Sequence, residues 1–242
     1  MGMRALVVAI ATLAALAAPA SDSAAQRARA PAAHRARAPV AQRDWSQVAV
    51  RTPEGGVRIG NPAAPVKLIE YGSITCPHCA AFSNEAGPAL HARQVRSGRV
   101  SWEYRPYMIF PTDPAAFLLL DCLPPSRFFP AVEQLYATQR TWVGRVQALP
   151  AAEMERLRAL PPIQMSAGLV RAAGLDAFFR TRGLSQAQVN ACLADRAALQ
   201  RLGAISQHAN ALGVQGTPTF LINGRQAGAQ DWARLEPMLT AG

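Results

Sequence analysis

The residues best able to do chemistry in this chain are Cys76-Pro77-His78-Cys79, two thiols three positions apart with a proline and an imidazole between them. They follow an apolar run, Val66-Lys67-Leu68-Ile69-Glu70-Tyr71, and open a stretch that reads as helix to about Ser97. Haem attachment would need a histidine directly after the second cysteine, where Ala80 stands. Zinc would need a second ligand pair, but Cys122 and Cys192 are far apart in sequence and His34 lies among small and charged residues, so no metal or other cofactor is expected. A structural bridge over one helical turn closes too small a loop to add much stability. The spacing suits thiol-disulfide exchange, which needs a thiolate nucleophile and a second sulfur within reach of the mixed disulfide.

Position divides the roles. At a helix start Cys76 sits among N–H groups with no partner in the helix and at the positive end of its dipole, which favours the thiolate. Cys79, nearly one turn on and more buried, is the resolving thiol. Pro77 falls in the first turn, where a missing N–H costs nothing. His78 is expected to place a positive charge beside the thiolate and lower its pKa further. Stabilising the reduced form makes the disulfide a stronger oxidant.

The elements around the motif form a recognisable order. Val48–Val50 and Val57–Ile59 read as a hairpin around Pro53-Glu54-Gly55-Gly56. Val66–Tyr71 is bounded by Pro65 and Gly72 and reads as a central strand, in which Glu70 is anomalous. The spacing then predicts the helix, with a kink at Gly87-Pro88, and a strand over 99–107, which makes a βαβ unit. Asp113-Pro114 reads as an N-cap followed by proline. Helical periodicity with proline breaks continues to about Leu202, and Ser185-Gln186-Ala187-Gln188 has capping-box spacing. A second stripe through Leu202, Ile205 and Ala209 runs on to Gly213. A strand over Thr217–Ile222, the turn signal Asn223-Gly224 and a last helix capped by Asp231 complete a ββα half. The fold class expected is α/β, one domain over 44–242 with an all-helical insertion at about 108–203.

The first 43 residues are set apart from that domain. Arg4, an apolar stretch over Ala5–Ala18 and small residues at Ala18-Pro19-Ala20 and Ser23-Ala24-Ala25 give the layout of a cleavable signal peptide, assigned to 1–25. Residues 26–43 repeat an Arg-Ala-Pro pattern and read as a flexible tether. The protein is therefore expected in the periplasm. Lys and Arg exceed Asp and Glu by 25 to 15, a net charge of +10. Half of that excess lies in residues 1–43, and the rest is spread without stacking aromatics, so no nucleic-acid partner is expected.

Glu70-Tyr71-Gly72-Ser73-Ile74-Thr75-Cys76-Pro77-His78-Cys79 and Gly213-Val214-Gln215-Gly216-Thr217-Pro218-Thr219-Phe220-Leu221-Ile222-Asn223-Gly224 together resemble the two active-site motifs of DsbA-like thioredoxin-fold disulfide oxidoreductases. The resemblance covers about 45–242. It implies a thioredoxin fold, a Pro218 that is cis and packs against the active-site cysteines, and a Thr217 whose backbone holds a substrate strand. It also implies that Glu70 handles the proton of the resolving thiol, which suits an acid on a buried strand. Thr217 departs from the valine of the best-known oxidase, which bears on the redox direction and the recycling partner. If Cys76 pairs with Cys79, an oxidising compartment favours Cys122 with Cys192 as a structural disulfide, with two buried free thiols as the alternative.

The function expected is disulfide introduction into newly exported proteins with free thiols, by a monomer that a membrane quinone-linked reoxidase recharges. The alternatives are a disulfide isomerase or reductase of the same fold and, from another class, a substrate-holding chaperone or metal-binding module without redox turnover.

Overall fold

The structure, a computed structural model, describes residues 43–240. The expected signal peptide and all but the last residue of the expected tether lie outside the described residues.

After a short 3₁₀ turn at Trp45–Gln47, strands β1 (Ala49–Arg51) and β2 (Val57–Gly60) form the hairpin. Strand β3 (Val66–Gly72), helix α1 (Pro77–Ala89) and strand β4 (Val100–Pro106) then make the βαβ unit. Seven helices follow: α2 (Asp113–Asp121), α3 (Pro125–Ala137), α4 (Gln139–Gln147), α5 (Ala151–Arg158), α6 (Pro162–Ala172), α7 (Leu175–Arg180) and α8 (Gln186–Leu193). Helix α9 (Arg196–Ala211) leads to β5 (Thr219–Ile222), β6 (Arg225–Gln226) and α10 (Trp232–Thr240).

The six strands form one sheet in the order β1-β2-β4-β3-β5-β6. β3 and β4 are parallel, and every other neighbouring pair is antiparallel. β3 is thus flanked on both sides, which explains its apolar composition. The parallel register sets Glu70 beside Tyr104, and the antiparallel one sets it beside Phe220. α1 packs against α3 and α10, and α9 packs against β4. This is a thioredoxin fold carrying a helical insertion between its βαβ and ββα halves.

Three local expectations meet the structure differently. The kink at Gly87-Pro88 becomes a change of winding, because proline supplies no N–H and the chain continues as a π-type turn over Leu90–Val95, with Arg96 N–H donating to His91 O at 3.0 Å. The boundary expected for the insertion at about 203 falls inside α9, whose stripe of Leu202, Ile205 and Ala209 continues the helix to Ala211, as the periodicity up to Gly213 predicts. Asp113 is not the N-cap of α2. Thr112 holds that place, and the Asp113 carboxylate turns back into the protein. The capping box at Ser185 forms, as do the Asp231 cap and the Asn223-Gly224 turn, with φ of 50° and 83° at the last two residues.

Candidate functional site

Cys76 is the N-cap of α1, with extended backbone at φ −75° and ψ 122°, and Pro77 occupies the first turn. No side-chain hydrogen bond caps the helix, which leaves its first-turn N–H groups without a capping partner beside Cys76. Cys76 and Cys79 are both free thiols here, and both are buried. The Cys76 pKa is lowered from 9.0 to about 5. The Cys79 thiol is the largest cause, acting as a hydrogen-bond donor against the opposing effect of burial, with further help from Thr217 and the backbone N–H groups of Cys79 and His78. The contribution of His78 therefore comes through its peptide N–H. Its imidazole is exposed at the first turn of α1.

Burial drives Cys79 the other way, well above its ordinary value, and the neighbouring Glu70 and Cys76 charges add to the effect. Glu70 is 1% exposed, and neither of its carboxylate oxygens has a hydrogen-bond partner among the described residues. Burial raises its pKa to about 8, and the facing indole N–H of Trp102 offsets part of this without closing a hydrogen bond. At neutral pH the site thus pairs an ionised outer thiol with a neutral inner thiol and a neutral buried acid.

The loop before β5 closes the site. The Thr217–Pro218 peptide bond is cis, and the Thr217 carbonyl lies 3.2 Å from Cys76 Sγ, where it accepts from the protonated thiol. The Thr217 hydroxyl is buried without a hydrogen-bond partner among the described residues, and Thr217 helps to lower the Cys76 pKa. The strand itself begins at Thr219, so Thr217 and Pro218 form its entry.

A family model described as Thioredoxin matches residues 52–241. The chain belongs to the thioredoxin family. Among solved structures similar to this thioredoxin-family chain is the protein-disulfide isomerase from Novosphingobium aromaticivorans, 32% identical, with 76% of this chain and 95% of that one covered at a TM-score of 0.71. The alpha-DsbA1 of Wolbachia pipientis shares the fold at 18% identity, with 79% and 92% covered and a TM-score of 0.62. A protein of Rickettsia typhi, provisionally named a protein-disulfide oxidoreductase, is 27% identical over 77 residues. That match spans 28% of its length and 32% of this chain.

In this thioredoxin-family chain Cys122 and Cys192 are joined in a disulfide that ties the end of α2 to α8, with Cα atoms 6.3 Å apart. It lies within the helical insertion, apart from the Cys76–Cys79 pair. No group of three or more His, Cys, Asp or Glu residues suited to a metal occurs among the described residues.

Sequence reasoning missed the residues that hold the loop over Ser73–Cys76. The Gln139 amide Nε2 donates to the carbonyls of Ile74 at 2.8 Å and Cys76 at 2.9 Å. Asp113 accepts from the hydroxyls of Ser73 at 2.8 Å and Thr75 at 2.9 Å, and from the peptide N–H groups of Ile109 and Phe110. Tyr136 donates to Ser73 O at 3.1 Å, so Tyr104, 2.8 Å from the Tyr136 hydroxyl, must donate to it. Gly72 makes room for that buried phenol, because a Cβ there would stand 2.7 Å from the Tyr104 ring and hydroxyl. One available signal was Gln139 itself, a polar residue on the stripe that buries Leu135, Tyr136 and Trp142. Beside Pro77 an apolar hollow of about 670 Å³ opens, lined in part by Phe110, Trp142, Val146, Met154 and Met165.

Proposed function

We propose that this protein is a thiol:disulfide oxidoreductase working as an oxidase, which passes the Cys76–Cys79 disulfide to reduced polypeptides exported to the periplasm. The observation that carries this reading is the split between the two sulfurs: Cys76 is held as a thiolate, with its pKa lowered to about 5, while burial keeps Cys79 protonated. A site that favours its reduced form gives up its disulfide readily.

The reaction starts from the oxidised pair. A client thiolate attacks Cys76 Sγ, the Cys76–Cys79 bond breaks, and Cys79 leaves with the electron pair. A buried thiolate is costly, so Glu70, neutral below about pH 8, protonates Cys79 as it leaves and regains a proton from solvent. A second client thiolate then attacks the client sulfur of the mixed disulfide, and Cys76 departs as the stabilised thiolate. The client has lost two thiol protons and two electrons to form one disulfide, and the enzyme holds the dithiol. The cis-Pro218 loop and the apolar hollow beside Pro77 provide surfaces for an unfolded chain. Reoxidation returns the electron pair to a membrane quinone-linked partner, and the enzyme acts as a monomer.

The test mixes pre-oxidised protein with a reduced, unfolded disulfide-containing polypeptide and follows its free thiols, alongside a measurement of the redox potential against glutathione. Rapid stoichiometric oxidation that is lost in Cys76→Ser is expected. A potential near that of thioredoxin, about −270 mV, overturns the oxidase direction.

A further inference from the structure

Residues Ser73–Cys76 form the loop that delivers Cys76 to the start of α1, and little within the loop fixes its shape. Its internal bonds are Cys76 N–H to Ser73 O at 3.1 Å, Thr75 N–H to Ser73 Oγ at 3.2 Å and a contact between the Ser73 and Thr75 hydroxyls. The side chains that grip its carbonyls and hydroxyls from outside all come from the helical insertion: Asp113 on α2, Tyr136 on α3 and Gln139 on α4. Gln139 is buried, and its amide nitrogen spends both N–H bonds on this loop. One of them goes to Cys76 O, the same carbonyl that accepts Ala80 N–H in the first turn of α1.

Resting on the redox reading above, we propose that Gln139 is a positioning residue for that reaction: by clamping the Ile74 and Cys76 carbonyls it holds the Cys76 sulfur against the first-turn N–H groups of α1 and so favours the reduced, charged state of the site. The physical basis is preorganisation. N–H groups stabilise a charge best when they are already fixed around it, and the charge is present only after the disulfide opens. The oxidised pair has no charge at this sulfur, so a looser loop penalises the reduced form more than the oxidised one. The insertion in this chain thus reaches into the electrostatics of the cysteine pair.

The test compares wild type with Gln139→Met, which keeps the bulk and removes both donors, and with Gln139→Glu, which turns an acceptor toward the two carbonyls. Three readouts are taken: the pH midpoint of thiolate absorbance at 240 nm, the redox potential, and the denaturant stability of the oxidised and reduced forms separately. Gln139→Met is expected to raise the Cys76 midpoint by about one pH unit, a tenfold change in thiolate stability. The potential then falls by about 30 mV, the value of a tenfold change for a two-electron couple. Stability is lost mainly from the reduced form. An equal loss from both forms, with midpoint and potential unmoved, overturns the proposal and leaves Gln139 a structural residue. Should both variants fail to fold, the wild-type protein decides: the Gln139 side-chain amide protons are expected to resist solvent exchange more strongly in the reduced form, and equal exchange in both forms overturns the clamp. Absence of any thiol turnover in wild type would instead refute the redox reading itself.

Discussion

Replacing Glu70 by glutamine tests the electrostatic account of the site most directly. Glu70 is fully buried without a hydrogen-bond partner for either oxygen, and its pKa stands at about 8 against an ordinary 4.5. A raised pKa means that the folded protein holds a proton that the unfolded chain releases. Stability is therefore fully present below pH 4.5 and is lost as pH rises through 8. At about 1.4 kcal/mol per pH unit, the displacement amounts to about 5 kcal/mol in all, of which about 4 kcal/mol falls between pH 5 and 8.5. Glutamine does not titrate, so Glu70→Gln should gain that much on wild type over this range. With a urea m-value of about 2 kcal/mol/M, the midpoints separate by about 2 M. The oxidised form is the one to use, since its Cys76 and Cys79 do not titrate and burial, the main cause of the shift, is unchanged. A stability difference that stays level within about 1 kcal/mol from pH 5 to 8.5 would refute the neutral buried acid. The same variant should slow release of Cys79 from the opening disulfide about 100-fold, the lower end of what proton transfer by a positioned group contributes.

Other outcomes follow from the same geometry. The Cys76 thiolate should titrate near pH 5 by absorbance at 240 nm, and Cys79→Ala should move that midpoint upward, because the Cys79 thiol is its strongest hydrogen-bond donor. Since the Cys76 pKa is depressed, its contribution to the reduced form is present above pH 9 and is lost as pH falls through 5; an acid-side loss of about 3 kcal/mol from the pH 7 value is expected in a Glu70→Gln background. Removing the Cys122–Cys192 disulfide by double alanine substitution opens a loop with a sequence separation of 70, which should cost roughly 4 kcal/mol by denaturant unfolding while leaving the redox potential unchanged. Gly72→Ala forces its new methyl against the Tyr104 ring, so a loss of about 1–3 kcal/mol is expected, and an unchanged midpoint would show that the phenol is not fixed there.

What the sequence made legible was chemistry written in neighbouring residues. The paired cysteines at a strand-to-helix junction, the Asn223-Gly224 turn and the Ser185 capping box each depend on residues within a few positions, and each forms. Gln139 and Asp113 were illegible for the opposite reason. Their partners in the Ser73–Cys76 loop lie 38 to 65 positions away, and only the docking of the insertion on the sheet brings them together. Asp113 also carried a misleading local signal. Asp before proline fits a helix cap, but its carboxylate finds two hydroxyls and two peptide N–H groups behind it, a better set of partners than the end of α2 supplies.

The two carboxylates around this loop show how one fold assigns opposite tasks to similar side chains. Both are buried, and burial raises the pKa of both. Asp113 meets four donors, each of which lowers its pKa, and those bonds are the ones that tie Ser73 and Thr75 to the insertion. Glu70 forms no hydrogen bond, faces only the Trp102 indole N–H, and is displaced to about 8, close enough to neutrality to give and take a proton. An acid saturated with donors makes a good anchor and a poor proton carrier, because protonation would forfeit its bonds. An acid left without partners can change charge with little rearrangement. Exchanging these environments should therefore exchange the roles. A donor engineered beside Glu70, by Phe220→Tyr if the new hydroxyl reaches its carboxylate across the β3–β5 pair, should pull its pKa down and flatten the pH dependence of stability while slowing Cys79 release. A pH profile of stability that keeps its wild-type slope, with a hydrogen bond to Glu70 verified, would contradict the assignment.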